Sequence, residues 1–123
     1  MSGTKLLLDT NIALYYLGGD PVLANLLDQR EIYLSAITEM ELLGYPGITE
    51  KESGRIRDFL NDCQLVEINA AVREKAIEIR REHNLKLPDA IIVATAFHLN
   101  LPLVSADGDF SRIGDLNFVH YTL

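Results

Sequence analysis

The residues of this chain that could do chemistry are acids. Asp9 closes the apolar run "KLLLD", and Asp89 heads the almost wholly apolar segment "LPDAIIVATAFHL". Asp107 and Asp109 flank Gly108 in "LVSADGDF", and Glu39 and Glu41 lie in "ITEMELLG". A carboxylate beside buried apolar surface costs several kcal/mol unless a cation or a set of donors answers it. No Lys or Arg stands within four residues after Asp9, and none follows Asp107 before Arg112. Each acid also has a structural use: Asp9 as a helix cap, Asp89 as a complement to a helix dipole, and Asp107 and Asp109 as turn formers. Glu41 could be a solvated helix acid like Glu39, and amphipathicity does not choose between the two. If the acids meet, like charges in one pocket raise at least one pKa, and a divalent cation removes the conflict. An oxygen-only ligand set with room for water suits Mg²⁺ or Mn²⁺ better than zinc.

The elements that must position these acids alternate. "KLLLD" is a strand, followed by the helix "NIALYYL", which Asp9 or Thr10 can cap. Pro21 opens a short helix "PVLANLLD", "EIYLSA" is a second strand, and "ITEMELLG" is a helix stopped at Gly44. Thr49 and Glu52 form a capping box for a surface helix running to Leu60, and "QLVEI" is a third strand. "AAVREKAIEIRREH" is amphipathic, whereas the helix Asp89–Leu99 is apolar on nearly all sides and belongs against a sheet. "LPLVS" is a fourth strand and "NFVHYTL" a fifth, at an edge. This alternation predicts an α/β domain with a mostly parallel sheet of about five strands and helices on both faces. Sites in such folds form outside the carboxyl ends of the strands, where Asp9 and Asp107 fall and to which Asp89 could be brought.

The chain's 123 residues, 48% of them hydrophobic, suit one domain over residues 1–123. Its apolar runs are too short to span a bilayer and its start lacks the apolar core of a signal peptide, so a cytoplasmic protein with no membrane partner is expected. The single Cys63 agrees with a reducing compartment and is expected to be a core or boundary residue. A net charge of −7 argues against bulk electrostatic binding of a polyanion. Removing Asp9, Glu41, Asp89, Asp107 and Asp109 from the count leaves −2, so a metal-loaded site would leave the rest near neutral. His83, His98 and His120 are dispersed and show no metal-ligand spacing.

The pieces "LLLDTN", "LSAITEMELLG", "LKLPDAIIVATA" and "LVSADGDF", in this order over almost the whole chain, resemble the PIN-domain nucleases, and most closely the VapC-type toxins of toxin–antitoxin operons. The resemblance implies a PIN fold and an acidic quartet of Asp9, Glu41, Asp89 and Asp107 that is both catalytic and metal-ligating. Glu41 is chosen over Glu39 by this likeness, through its place before "LLG". Asp109 is implied as an accessory acid, and Asn11 and Ser105 as residues that support the acids by hydrogen bonds. The implied activity is Mg²⁺- or Mn²⁺-dependent endoribonuclease cleavage that leaves a 5′-phosphate and a 3′-hydroxyl. A small antitoxin protein, a homodimer and an RNA substrate are the implied partners, with "NIALYYL" and the helix from Thr49 as candidate contact regions. The segment from Thr49 to Leu60 matches no motif of the family.

Other readings fit less well. A haloacid-dehalogenase-type phosphatase needs Asp-x-Asp after its first strand, and here Asn11 takes the second place. A response-regulator receiver needs a phosphorylatable Asp after its third strand, which "QLVEIN" does not supply. A metal-free PIN-like RNA- or protein-binding module is the non-enzymatic alternative, and the presence of all four acids speaks against it.

Overall fold

A computed structural model describes residues 4–122. Strand β1 (Lys5–Leu8) sends Leu6 and Leu8 into one core and Leu7 into another, as the two-residue period of a strand buried on both faces requires. The other elements follow as α1 (Thr10–Leu17), α2 (Pro21–Leu27), β2 (Glu31–Ser35), α3 (Ala36–Leu43), α4 (Glu50–Asn61), β3 (Gln64–Val66), α5 (Ala70–His83), α6 (Leu87–Leu99), β4 (Leu103–Ser105), a 3₁₀ turn (Gly108–Arg112) and β5 (Phe118–His120). The five strands pair in parallel in the order β3-β2-β1-β4-β5. Leu7 and Leu103 pack with Val72, Ile79 and Ile92 of α5 and α6. Leu8 and Val104 face Ile12, Leu23 and Ile56 of α1, α2 and α4 on the opposite side. The expected α/β domain, a parallel sheet with helices on both faces, is therefore the observed one.

Local chemistry starts the helices. Asp9 caps α1, Asp20 caps α2 ahead of Pro21, Ser35 caps α3, Asn69 caps α5, and Thr49 and Glu52 complete the capping box of α4. Helix α6 departs from expectation: it begins at Leu87, two residues before Asp89, and its cap residue Lys86 makes no side-chain cap bond. Pro88 is the reason, since a proline in the first turn forfeits no helical hydrogen bond and so can lie inside the helix. Asp89 is thus a first-turn residue, and every residue from Ala90 to Ala96 is buried behind it.

Three strands are shorter than their apolar runs. β3 stops at Val66, opposite Ser35, the last residue of β2, and β5 stops at His120, opposite Ser105, the last residue of β4. Beyond those points the ladder has no partner strand. β4 itself starts at Leu103, after Pro102, which has no N–H to give. The expected fifth strand ran to Leu123, which lies outside the described residues. Among the described residues no helix is long and apolar enough to cross a membrane. Cys63 is half-buried, and burial, with the charge of Asp62, pushes its thiol up to about 12, so it is an inert boundary residue.

A contact just past β5 ties the edge strand to α2. Tyr121 donates its hydroxyl to both carboxylate oxygens of Asp20, at 2.9 Å each, while Asp20 accepts the backbone N–H groups of Val22 and Leu23. The bond from the Leu23 N–H, the largest effect, together with those from Tyr121 and Val22, holds the Asp20 carboxyl below its ordinary value against the opposing effect of burial. A lowered folded-state pKa stabilises above the unfolded value of 3.8, and that stability is lost as pH falls through the folded value. Tyr121→Phe is expected to destabilise the protein at pH 7. In urea melts the difference from the parent should shrink as pH falls below the unfolded value of 3.8 and on through the lower folded one.

Candidate active site

The strand order reverses between β1 and β4: from β1 the chain moves outward to β2 and β3 on one side, then returns to place β4 on the other. Ligand sites in open α/β sheets form in the crevice at this switch point. Asp9 is the first residue after β1, and Asp107 lies two residues past the end of β4. Asp89 enters from the first turn of α6, and Glu41 from the last turn of α3, which packs against both α1 and α6.

Asp9 is only 7% exposed. Its Oδ1 accepts the Ile12 N–H at 2.9 Å, the bond that caps α1, and the hydroxyl of the buried Ser105 also bonds to its carboxylate. Ser105 Oγ in turn accepts the N–H of Asp107 at 3.0 Å. One hydroxyl therefore donates to the first acid and accepts from the backbone of the second, using both faces of its chemistry. Asn11, the other residue the resemblance implies in support of the acids, is exposed in the first turn of α1.

Glu41 draws on two residues that sequence reasoning missed. Thr10 Oγ1 donates to Glu41 Oε1 at 2.6 Å and lies 3.1 Å from the hydroxyl of Thr38, which is fully buried. Because the single Thr10 hydrogen points at Glu41, the Thr38 hydroxyl must be the donor to Thr10. Such a chain polarises each successive bond and fixes the carboxylate's direction. The signal was available: Thr38 precedes Glu41 by three residues, hence lies one turn away on the same helix face, and Thr10 directly follows Asp9.

Electrostatics show which acids converge. Burial raises the pKa of Asp9; the Ser105 and Ile12 bonds oppose this, and the charges of Asp107 and Glu41 add to it. Burial likewise raises Asp89, reinforced by the charges of Asp107, Asp9 and Glu41 and opposed by Lys86. The charges of Asp107 and Glu41 thus reach both Asp9 and Asp89, and that of Asp9 reaches Asp89. Asp109 is placed differently: its backbone N–H donates to Asp107 Oδ1 at 2.9 Å, and its carboxylate is not among the charges acting on Asp9 or Asp89.

The donor set fits a hard divalent cation in kind, being entirely carboxylate oxygen, with the charge of Lys86 acting on Asp89. Among the described residues no three such side chains are drawn into a ready-made ligand cage. Mg²⁺ does not demand one, since it commonly keeps several waters and takes only one or two carboxylates.

The fold that holds these acids is shared with known proteins. The PIN domain family model matches residues 6–116. A toxin–antitoxin complex from Klebsiella pneumoniae contains a chain with 30% identity and a TM-score of 0.84, the match covering 96% of this chain and 99% of that one. VapBC2 from Rickettsia felis, bound to a fragment of promoter DNA, matches at 22% identity and a TM-score of 0.85, over 95% and 98% of the two chains. VapC20 from Mycobacterium tuberculosis, a Sarcin-Ricin loop cleaving toxin, matches at 19% identity and a TM-score of 0.72, over 94% and 99%. The last two likenesses are of fold. Comparison with curated protein sequences finds no significant match. With a family match from β1 to beyond the 3₁₀ turn and four acids gathered where the strand order reverses, the chain belongs to the PIN-domain family.

Proposed function

We propose that the chain is a metal-dependent endoribonuclease, the toxin of a toxin–antitoxin pair. The observation that carries the reading is the approach of Asp9, Glu41, Asp89 and Asp107 to one another at the β1/β4 switch point, where Asp9 and Asp89 are both raised by burial and by the other acids and Lys86 is the cation that opposes this at Asp89. The Klebsiella relative, found in a toxin–antitoxin complex, supports the biological role. Asp9, Asp89 and Asp107, with Glu41 directly or through water, would hold one or two Mg²⁺ or Mn²⁺ ions. When bound, such ions supply an acidified water and positive charge to offset the phosphate in hydrolysis of an RNA phosphodiester.

The chain's own residues set the geometry for that chemistry. Ser105 and the Ile12 N–H aim Asp9, and the Thr38–Thr10 relay aims Glu41. Ser105 also couples the position of Asp107 to that of Asp9. The apolar groove beside Glu41, about 370 Å³ and lined by Leu14, Tyr45, Ile48 and Ile56, suits an antitoxin's apolar segment. Leu14 and Tyr45 are 48% and 68% exposed there, an apolar surface that a partner would cover. A homodimer and products with a 5′-phosphate and a 3′-hydroxyl complete the reading.

The test is cleavage of total cellular RNA by antitoxin-free protein with Mg²⁺, Mn²⁺ or EDTA. Discrete bands that need metal are expected. A folded protein that binds no metal would point instead to a non-catalytic binding module.

Thr10→Val probes the relay. Valine keeps the shape and removes both hydrogen bonds, so cleavage should fall roughly 10–100-fold, the scale for losing a residue that orients a metal ligand. The buried Thr38 hydroxyl would lose its partner at a cost of about 1–3 kcal/mol, measurable by urea denaturation.

A further inference from the structure

His120 takes no part in the quartet, yet it is built into the loop that carries Asp107. As the last residue of β5 it stands opposite Ser105, the last residue of β4. Its Nε2 lies 3.2 Å from the carbonyl oxygen of Ala106, the residue just before Asp107. A carbonyl oxygen only accepts, so Nε2 must carry the hydrogen, as it does both in one neutral tautomer and in the imidazolium. The ring also covers the residue just after Asp107: a Cβ added to Gly108 would lie 3.4 Å from the imidazole Cε1.

The imidazole is anchored in turn. It stacks on Phe118 at 5.4 Å between centroids and 25° between planes, and Phe118 meets Phe110 edge-on at 6.2 Å and 89°. Phe110 is 1% exposed, inside the core packed by α5 and α6. A ladder of three rings therefore runs from the core to the backbone on either side of Asp107. Ser105 Oγ holds the Asp107 N–H from below, and the Asp109 N–H holds its Oδ1.

We propose that His120 is a positioning residue: through the Ala106 carbonyl and its seat over Gly108, it holds the Asp107 carboxylate where it can act together with Asp9 and Asp89. The inference rests on the reading of Asp107 as a site acid. A purely positioning role predicts that loss of the ring alters turnover and cation affinity while leaving RNA binding alone.

His120→Phe keeps the stack on Phe118 and removes the donor. His120→Gln restores an N–H near the position of Nε2 on a side chain that stacks poorly. Calorimetry with Mn²⁺ alone and steady-state cleavage of an RNA the parent cuts are the two measurements. His120→Phe is expected to weaken Mn²⁺ binding by about tenfold and to lower kcat by roughly 10–100-fold, with KM within about twofold. Gln should recover most of both. In an Asp107→Asn background the Phe change should have little further effect on Mn²⁺ affinity, because the residue it positions is already changed. Parent-like affinity and kcat in His120→Phe, alongside a loss in Asp107→Asn, would overturn the positioning role and leave the nuclease reading standing. Equal losses in the Phe and Gln variants would also overturn it, by removing the hydrogen bond as the cause. A parent that binds no Mn²⁺ would overturn both readings together.

Discussion

Asp9→Asn is expected to abolish RNA cleavage and, at neutral pH, to make the metal-free protein more stable. The two effects have one cause. Asp9 is buried, its pKa is raised chiefly by that burial, and the charges of Asp107 and Glu41 add to the cost of ionising it. A raised folded-state pKa means that the native state holds its proton more tightly than the unfolded chain does. Stability therefore falls as pH rises from the unfolded value of 3.8 through the folded one, and above that range the carboxyl is a net liability. Asparagine keeps an oxygen for the Ile12 N–H, and so keeps the cap of α1, while removing the charge. The stability gain should be about 0.5–2 kcal/mol, the range in which stabilising substitutions commonly fall. Activity should drop by at least ~100-fold, since even residues that only orient metal ligands cost up to that much. Thermal melts of parent and variant at pH 7 in EDTA, beside a cleavage assay, test both halves. A less stable variant would mean that Ser105 and Ile12 compensate the charge fully, and undiminished cleavage would remove Asp9 from the chemistry.

Mn²⁺ should stabilise the parent strongly at neutral pH and barely at pH ~4. Cation and proton compete for Asp9 and Asp89, both of which hold protons above the ordinary carboxylate value. Apparent affinity should then climb with pH by up to about tenfold per unit for each proton displaced, until both acids are ionised. At a concentration of 100 times the dissociation constant, a single bound ion would add roughly 2.7 kcal/mol. Asp89→Asn should lower the Mn²⁺-induced rise in melting temperature at pH 7, and EDTA should silence cleavage by the parent. Equal Mn²⁺ shifts at pH 4 and pH 7, or a shift that survives in both Asp9→Asn and Asp89→Asn, would place the cation away from this crevice.

Much of the architecture was legible locally. The capping box at Thr49 and Glu52, the amphipathic run from Ala70 to His83 and the proline at the head of α2 each state their element in the residues themselves. The uniformly apolar stretch after Asp89 announced a helix buried against the sheet. The motifs around Asp9, Glu41, Asp89 and Asp107 named the family that the match over residues 6–116 shows. Element ends were less legible, because a strand stops where its neighbour does: β3 at Val66 and β5 at His120 are limited by Ser35 and Ser105.

The sequence by itself determined the periodicities, the caps and the acidic inventory, because those depend on covalent neighbours within a turn or two. Only the tertiary structure decided the sheet order, and with it the meeting of four acids drawn from four separate segments. It also decided that Ser105 bonds to Asp9, that Thr10 bonds to Glu41 with Thr38 behind it, and that the His120 ring meets the Ala106 carbonyl. These contacts join residues far apart in the chain. Their strength comes from burial and from charges facing one another through space, and neither exists until the sheet has brought β1 and β4 side by side.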